Sequence, residues 1–585
     1  MTAPRRSQRA PDSTRADRHA GASTPAAGTQ VARTLHAAVS AAVLVVFARA
    51  VPFPLHADWD DGRFIIDNPY AHEVSWRALR AIFATPHFEA YHPLHLLSYW
   101  LDVPWAGANG PILHAVNLGL WVIAANLLLR VFVGWGLSVS AAALATLACA
   151  LHPIQVEAVS WATGRKDVLA LLFSCAAVLL HLRSARWLDR WAWSSRASFL
   201  CAVLAKTTAL PLPAVLWLAD VLLRRRSARD ALRNQAPALA LGVAIAAGVL
   251  VIWTRNEMIR GGADAATFGA LGARVARTFA HQLGTALWPS ATSPMYSTQA
   301  EAAGAGAWLA VAGTVLAAVA AQRAGARRAL FVLGAFVLWL APVSNIVPMY
   351  FPLQDRYLSL PLIGLAFGFG ALLDRWRARA GGESRLPLLA GGLIAFVLAL
   401  RCVQYQGEWR EQTRLWGHAA STQRDAYYAL LKLGEVRAKT GDLHGAIRAY
   451  KQLLRIDPRR KLGHAALLRA VALRDERIRE LRPSQADALS REYYAGLDDA
   501  EALRALAGRM LRSGHLRALE LPMHRALELQ PVADSALERA AATHFAEGRP
   551  TVGLFYLAQM QQPTQRPELQ ALAARARALL AGAPL

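Results

Sequence analysis

The sequence predicts an all-α chain in two parts, a polytopic membrane helix bundle of about 11 spans followed by a short α-solenoid of helix-turn-helix repeats. Three observations carry this. Hydrophobic residues make up 55% of the 585 residues and charged residues 18%, with a mean hydropathy of +0.24, whereas soluble domains sit near ~45–50% and ~25%. Ten apolar runs of spanning or near-spanning length alternate with polar linkers up to residue 405. Beyond it the apolar runs stop, and glycines and prolines recur in phase.

Residues 1–32 are polar, carry Arg5, Arg6, Arg9 and Arg15, and read as a disordered cytoplasmic tail. Residues 34–53 form the first apolar run, long enough to span, since ~20 residues cross ~30 Å of hydrocarbon. A signal peptide cut near Ala48-Arg49-Ala50 is the other reading of this segment, but the many apolar runs that follow suit an uncleaved anchor. Those runs lie at about 111–132, 138–155, 167–183, 197–223, 236–254, 304–322, 328–347, 357–373 and 386–404. Arginine-rich linkers at 183–196, 224–233, 323–328 and 375–385 are expected on the cytoplasmic side. Run 197–223 lies between two of them and is broken at Lys206, Thr207, Thr208, Pro211 and Pro213. A tight two-helix hairpin keeps both linkers inside and brings the crossings to eleven, with the N-terminus cytoplasmic and the C-terminal part outside. The membrane part is thus expected at 33–405, with an outer loop at 54–110 and a linker at 406–425.

Residues 426–585 read as tetratricopeptide-like repeats: Leu430, Leu433, Gly434, Gly441, Ala446, Tyr450 and Pro458 fit a 34-residue helix pair. Gly514 and Pro531 lie 73 residues beyond Gly441 and Pro458, and Gly548 lies 34 beyond Gly514, giving three or four degenerate repeats with a poor one at 461–497. A generic helical tail is the plainer reading.

The charge balance is +24, from 64 basic and 40 acidic residues, yet only six of the basic residues are lysines. No Lys/Arg stripe is interleaved with aromatics, so no nucleic-acid partner is expected. Cys149, Cys175, Cys201 and Cys402 sit in apolar runs without C-x-x-C spacing, which suggests neither a disulfide framework nor a zinc site.

Chemistry-bearing residues gather in the outer loops. Asp58, Trp59, Asp60 and Asp61 follow the first run, where a carboxylate can take a proton from an attacking hydroxyl; a solvated loop start or a helix cap is the bland alternative. His87, His92 and His95 flank Pro93. His152 to Glu157, Trp161 and Gly164-Arg165-Lys166-Asp167 form a second cluster, either an interfacial belt or an anion site. Lys206 is an ionisable residue within the membrane, and Asp355-Arg356-Tyr357 opens the ninth run. Acids, several bases and many spans suit transfer of a sugar from a polyprenyl-phosphate carrier. The tail lies in the bilayer, the phosphate needs cations, and the acceptor needs a base.

The motifs Trp59-Asp60-Asp61 with Asn68-Pro69, His92-Pro93-Leu94 through Leu97-Ser98, His114 to Asn117, Leu151 to Glu157, Gly164 to Asp167, Ala205-Lys206, Trp288-Pro289, Asn345-Ile346-Val347-Pro348 and Asp355 to Leu358 occur in this order with spans between them. In this arrangement the sequence resembles bacterial relatives of the transmembrane and tetratricopeptide repeat-containing O-mannosyltransferases, members of the protein mannosyltransferase-like superfamily with the type C glycosyltransferase fold. The resemblance covers residue 34 through the repeats. It implies a base at Asp60 or Asp61. It also implies carrier-phosphate contacts from Arg165, Lys166, Lys206 and Arg356, with support from His92, His152, Glu157, Asp167, Asp355 and Tyr357. His92 stands where the family usually has Arg or Trp-Arg, and Thr207 where it usually has Glu. The implied setting is a bacterial inner membrane with the repeats periplasmic or extracellular, and a protein or glycan acceptor. The sequence names no certain cofactor and leaves a divalent metal open. A membrane scaffold presenting repeats to envelope partners is the alternative function. A transporter fits less well, since the acids lie in an outer loop rather than at mid-membrane.

The charge bias makes a topology test direct. A phosphatase fused near residue 420 is expected to be active and a cytoplasmic reporter there silent; the reverse pattern would remove the hairpin at 197–223.

Overall fold

The computed structural model describes residues 25–87, 91–255, 268–296, 303–347, 349, 351–423, 425–457, 534–546 and 564–580, with scattered positions in 463–470 and 553–560. The described residues are almost entirely helical and form two compact units: residues 1–292 with 300–410, and residues 293–299 with 411–585. Residues 1–24, Pro348, Pro458, all but four positions of the proposed repeat at 461–497, and Gly514, Pro531 and Gly548 lie outside the described residues.

In the first unit α1 (Pro25–Phe47) begins within the stretch read as a tail and packs on α6 (Gly110–Gly134) and α7 (Val139–Ala150). Val39, Val43 and Phe47 are buried, and Asn126 of α6 links to His36 Nδ1 at 2.7 Å and to Ser40 Oγ at 2.9 Å. Between α1 and α6 the chain folds as four short helices: α2 (Pro69–His72), α3 (Trp76–Ala84), α4 (Pro93–Ser98) and α5 (Val103–Ala106). Local sequence starts them. Asn68 and Ser75 side chains accept from Tyr70 N and Ala78 N, and a proline opens α2 and α4. Phe64, Ile65, Ala71, Ile82, Leu96, Tyr99, Val103, Leu113 and Ala162 close into a hydrophobic cluster under this loop, so 54–110 is a packed cap rather than a solvated linker.

Then come α8 (Gln155–Ser160), α9 (Arg165–Arg183), α10 (Arg190–Ala205), α11 (Leu212–Leu222), α12 (Ala228–Arg255) and α13 (Phe268–Leu287). After them follow α14 (Ala305–Arg323), α15 (Arg327–Leu340), α16 (Pro361–Arg379) and α17 (Leu386–Gln406). Among the described residues, five helices are long and apolar enough to cross a membrane (30–50, 110–134, 228–252, 305–323 and 386–410), and 139–150 and 207–222 are shorter apolar helices. The unit is that of an all-α membrane protein.

α9 shows what the broken run 197–223 does. Lys206 pairs with Asp167 near the start of α9, while Asp220 meets His181 Nε2 at 3.0 Å near its end. Those two α9 positions are about 21 Å apart at 1.5 Å per residue. The chain therefore climbs α10, turns at Lys206 and returns along α11, leaving both arginine-rich linkers at one end. The arms do not form a tight hairpin: α10 packs on α9, and α11 packs on α12 and α15. Pro211 and Pro213 supply no N–H to bridge the arms and start α11 in a new direction. The stretch between 254 and 304, expected as a loop, contains α13. Arg274, Thr278, His281 and Gln282 recur on it at helical spacing, which keeps its hydropathy below that of a membrane span while still making a helix.

In the second unit α18 (Gln412–Thr422) packs on α19 (Tyr427–Lys439), and α19 on α20 (Leu443–Ile456). Helix α18 and the 3₁₀ turn Gly407–Arg410 occupy the segment 406–425 that was read as a linker. Leu430, Leu431, Ala446, Ile447, Tyr450 and Leu453 form the buried seam. Farther on, α21 (Asp534–Ala546) and α22 (Pro567–Leu580) contact each other. Gly434 is obligatory in the α19–α20 pair, because a Cβ there meets the Tyr450 ring at 2.2 Å. In the full chain Gly434→Ala is expected to loosen this pair by about 1–3 kcal/mol. The check is faster proteolysis within 427–456, with the membrane unit unchanged; equal cleavage rates would contradict the packing.

Candidate active site

Two buried pins fix the cap to the bundle. Arg165, at the first position of α9, is fully buried and all five of its N–H donors are engaged. Nε donates to Asn117 Oδ1 at 2.6 Å. Nη1 reaches Ser98 O at 3.1 Å and Asp102 Oδ1 at 3.2 Å. Nη2 reaches Leu113 O at 3.3 Å and the second Asp102 oxygen. Cap, α6 and α9 are thereby tied at one guanidinium, whose face lies 4.7 Å from the Tyr99 ring centroid. The second pin is Asp61, also fully buried. Its Oδ1 accepts from Thr163 N at 2.9 Å and Thr163 Oγ1 at 2.5 Å, and its Oδ2 accepts from His56 N at 2.8 Å. Gly62 makes the turn possible, since a Cβ there lies 2.1 Å from Ala57 O, and a π-helical turn, Gly62–Ile66, follows.

These pins correct two expectations. Arg165 has no donor left for a carrier phosphate, because the fold uses the whole guanidinium. Both Asp61 oxygens already accept from the fold's own donors, and the carboxylate is fully buried. In each adjacent pair the neighbour is the less buried residue, and the two neighbours meet. Asp60 keeps 24% of its side chain exposed and lies 3.3 Å from Lys166 Nζ.

Around that contact the remaining groups assemble. Trp59 stacks on Trp161 at 4.2 Å and 16°. Lys166 Nζ lies 5.0 Å from the Trp161 ring centroid and 5.4 Å from that of Phe64. The Arg356 guanidinium lies 5.1 Å from the same Trp161 ring. Glu157, fully buried, clamps Arg356 by accepting from its backbone N at 3.0 Å and its Nη1 at 2.5 Å. Lys206 pairs with Asp167 and lies 5.8 Å from the Tyr357 ring centroid. Three cations (Lys166, Lys206 and Arg356) thus meet three carboxylates (Asp60, Asp167 and Glu157) beside one indole. Asp167 Oδ2 is buried without a hydrogen-bond partner.

The other expected residues support rather than line this group. Tyr357 donates its hydroxyl to Phe351 O at 3.0 Å, Asp355 is buried, and His152 Nε2 lies 3.2 Å from Ala286 O. His92 caps the start of α4 and is pushed down to about 3 by burial and by Lys166 and Lys206, so it is neutral near pH 7. Arg356 is held above its ordinary value: burial opposes its charge, but Glu157 outweighs it. The sequence reading missed Asp102, Thr163 and Trp409, whose ring stacks 6.0 Å from Trp59. Asn117, quoted there only as part of a motif, is a polar residue inside an apolar helix, a usable signal for its role. Asp102 had none. Among the described residues, no group of three His, Cys, Asp or Glu is placed to hold a metal ion.

The chain is 26% identical over 431 residues to the human protein O-mannosyl-transferase TMTC4, a match covering 62% of this chain and 57% of that protein. A 101-residue stretch is 37% identical to the mouse protein O-mannosyl-transferase TMTC1, covering 16% of this chain and 10% of that protein. The Caenorhabditis elegans protein O-mannosyl-transferase F38B6.6 is 26% identical over 141 residues, covering 22% and 20%. The chain is related in sequence to these transferases, and it spans little more than half the length of the TMTC4 relative it matches. No family model matches the chain, and no solved structure matches it.

The two aspartates are expected to separate by stability. Asp61→Asn leaves the His56 N–H facing an amide NH₂, whereas Asp60→Asn loses one half-open contact. The first is expected to cost about 2–3 kcal/mol and the second under about 1 kcal/mol, read as thermal unfolding in detergent. Burial pushes Asp61 up from 3.8 to about 6 against its three donors. The folded state therefore binds the extra proton between about pH 4 and 6, and its stability falls as pH rises through that window and then levels. The slope attributable to this group is expected to vanish in Asp61→Asn.

Proposed function

We propose that this chain is a membrane glycosyltransferase that moves a sugar from a polyprenyl-phosphate carrier to a hydroxyl of a protein or glycan acceptor. We place the reaction at the outer face of a bacterial inner membrane. The observation that carries the reading is the placement of Asp60. It is the partly open carboxylate in a balanced cluster of three cations and three acids, set on a frame that holds its neighbours rigid. The names of the relatives support sugar transfer and make mannose the first sugar to test.

The chemistry balances at this site. The acceptor oxygen forms a bond to the anomeric carbon, and the bond from that carbon to the phosphate oxygen breaks. The acceptor proton passes to Asp60, so the carboxylate loses one negative charge as the departing lipid phosphate gains one. Protonated Asp60 no longer holds Lys166, which turns to the phosphate with Lys206 and Arg356. The pocket thus keeps its total charge through the step, and no unpaired charge is left in a low-dielectric place. The stacked Trp59 and Trp161 give the cations an apolar wall that raises the worth of each contact. Neutral His92 adds a polar group without adding charge.

The repeat unit is proposed to hold the acceptor or a partner.

Asp60→Asn keeps the shape and removes the proton acceptor. Transfer is expected to fall by about 10²–10⁴, with normal expression and unchanged retention of donor lipid, measured as sugar released from a radiolabelled polyprenyl-phosphate donor. An unchanged product profile in a well-expressed variant would remove the catalytic assignment and leave the scaffold reading ahead.

A further inference from the structure

At the end of the bundle opposite the cap, the two linkers 183–196 and 224–233 carry nine arginines and two acids. Both acids are used by the backbone or by a neighbouring hydroxyl. Asp189 caps α10 and its loop, accepting from Ala185 N at 2.8 Å, Arg186 N at 3.1 Å and Ala192 N at 2.7 Å. Asp230 accepts from Ser227 Oγ at 2.6 Å. Arg224 and Arg226 share the single negative charge of buried Asp220, at 3.0 and 3.4 Å. Among the described residues, Arg183, Arg190 and Arg233 have no carboxylate within ion-pair distance.

These arginines lie on indoles instead. Arg183 and Arg190 sit 5.3 and 4.8 Å from the Trp191 ring centroid, and Arg233 sits 5.2 Å from that of Trp187. Arg196 sits 4.9 Å from that of Trp193 and fastens α10 to α12 by donating from Nη2 to Trp187 O at 2.6 Å and Asn234 O at 3.1 Å. Its Nη1 is buried without a hydrogen-bond partner. The apolar sides stay open: Trp187 is 38% exposed, Leu188 50% and Trp193 55%. A stacked guanidinium keeps its N–H edge for hydrogen bonding, and indoles settle at the headgroup level of a bilayer.

We propose that Trp187, Leu188, Arg190, Trp191, Trp193 and Arg233 form a binding site for the phosphate headgroup of anionic phospholipids in the adjoining leaflet. Charge complementarity selects the occupant. The surplus is positive, its own acids are engaged, and the exposed apolar rings suit an acyl-chain boundary rather than a soluble anion. The site does not depend on the transferase reading, because its residues are far along α9 and α10 from Lys166 and Lys206.

The test uses the full chain in vesicles of equal phosphatidylglycerol and phosphatidylcholine, with retained lipid counted by native mass spectrometry. The wild type is expected to enrich phosphatidylglycerol. Each arginine near an anionic surface contributes about fivefold, so Arg190→Gln with Arg233→Gln is expected to lower the enrichment about 25-fold. Arg190→Lys with Arg233→Lys keeps the charge and is expected to retain most of it, which separates loss of charge from misfolding. Equal retention of the two lipids by the wild type would overturn the site, as would unchanged enrichment in the glutamine pair. Inorganic phosphate that abolishes the enrichment, where chloride of the same ionic strength does not, would also overturn it in favour of a soluble anion.

Discussion

A buried guanidinium carries five donors that must all be met, and Arg165 meets them with partners from two other segments, so that three are tied together. Ser98 and Asp102 belong to the cap, Leu113 and Asn117 to α6, and Arg165 itself to α9. Removing one partner from such a buried pair typically costs about 3–5 kcal/mol, so this contact fixes where the cap can sit. Asp61 repeats the logic with the charges reversed, joining the cap to Thr163 one turn before α9. Asp60 and Lys166 lie between the two pins, each next in sequence to one of them.

This division of labour explains why two short motifs each hold two like-charged residues. In Asp60-Asp61 and in Arg165-Lys166 one member is spent on the fold and the other is left for the proposed site. The residue types suit the split. A planar guanidinium fills a fixed set of acceptors, whereas a lysine ammonium on a flexible stem can exchange Asp60 for another anion. Glu157 with Arg356 and Asp167 with Lys206 complete an overall neutral cluster. A neutral cluster tolerates burial when empty and admits an anion once one carboxylate is protonated.

Much of the architecture was legible in the sequence because it follows from periodicity and charge bias. The apolar runs became helices, the polar break at Lys206 became the turn between α10 and α11, and Gly434 met Tyr450 across a helix pair. What was not legible was which member of an adjacent pair is buried, since two neighbouring aspartates have the same chemistry until Thr163, 102 residues away, takes one of them. α13 was missed for a different reason: its arginines, threonine and histidine lower its hydropathy without lowering its helicity. Asp102 lies in an irregular stretch between short helices, where no periodicity marks an inward position.

In the proposed reading Lys166, Lys206 and Arg356 form a site for a lipid-borne phosphate. Mass spectrometry of lipid that co-purifies with the full chain from its native membrane measures that site most directly. A polyprenyl phosphate, or its glycosylated form, is predicted at near-equal stoichiometry in the wild type and at background in Arg356→Gln of equal thermal stability. Purified protein that carries only bulk phospholipid, or an Arg356→Gln variant that retains the polyprenyl species unchanged, would contradict it.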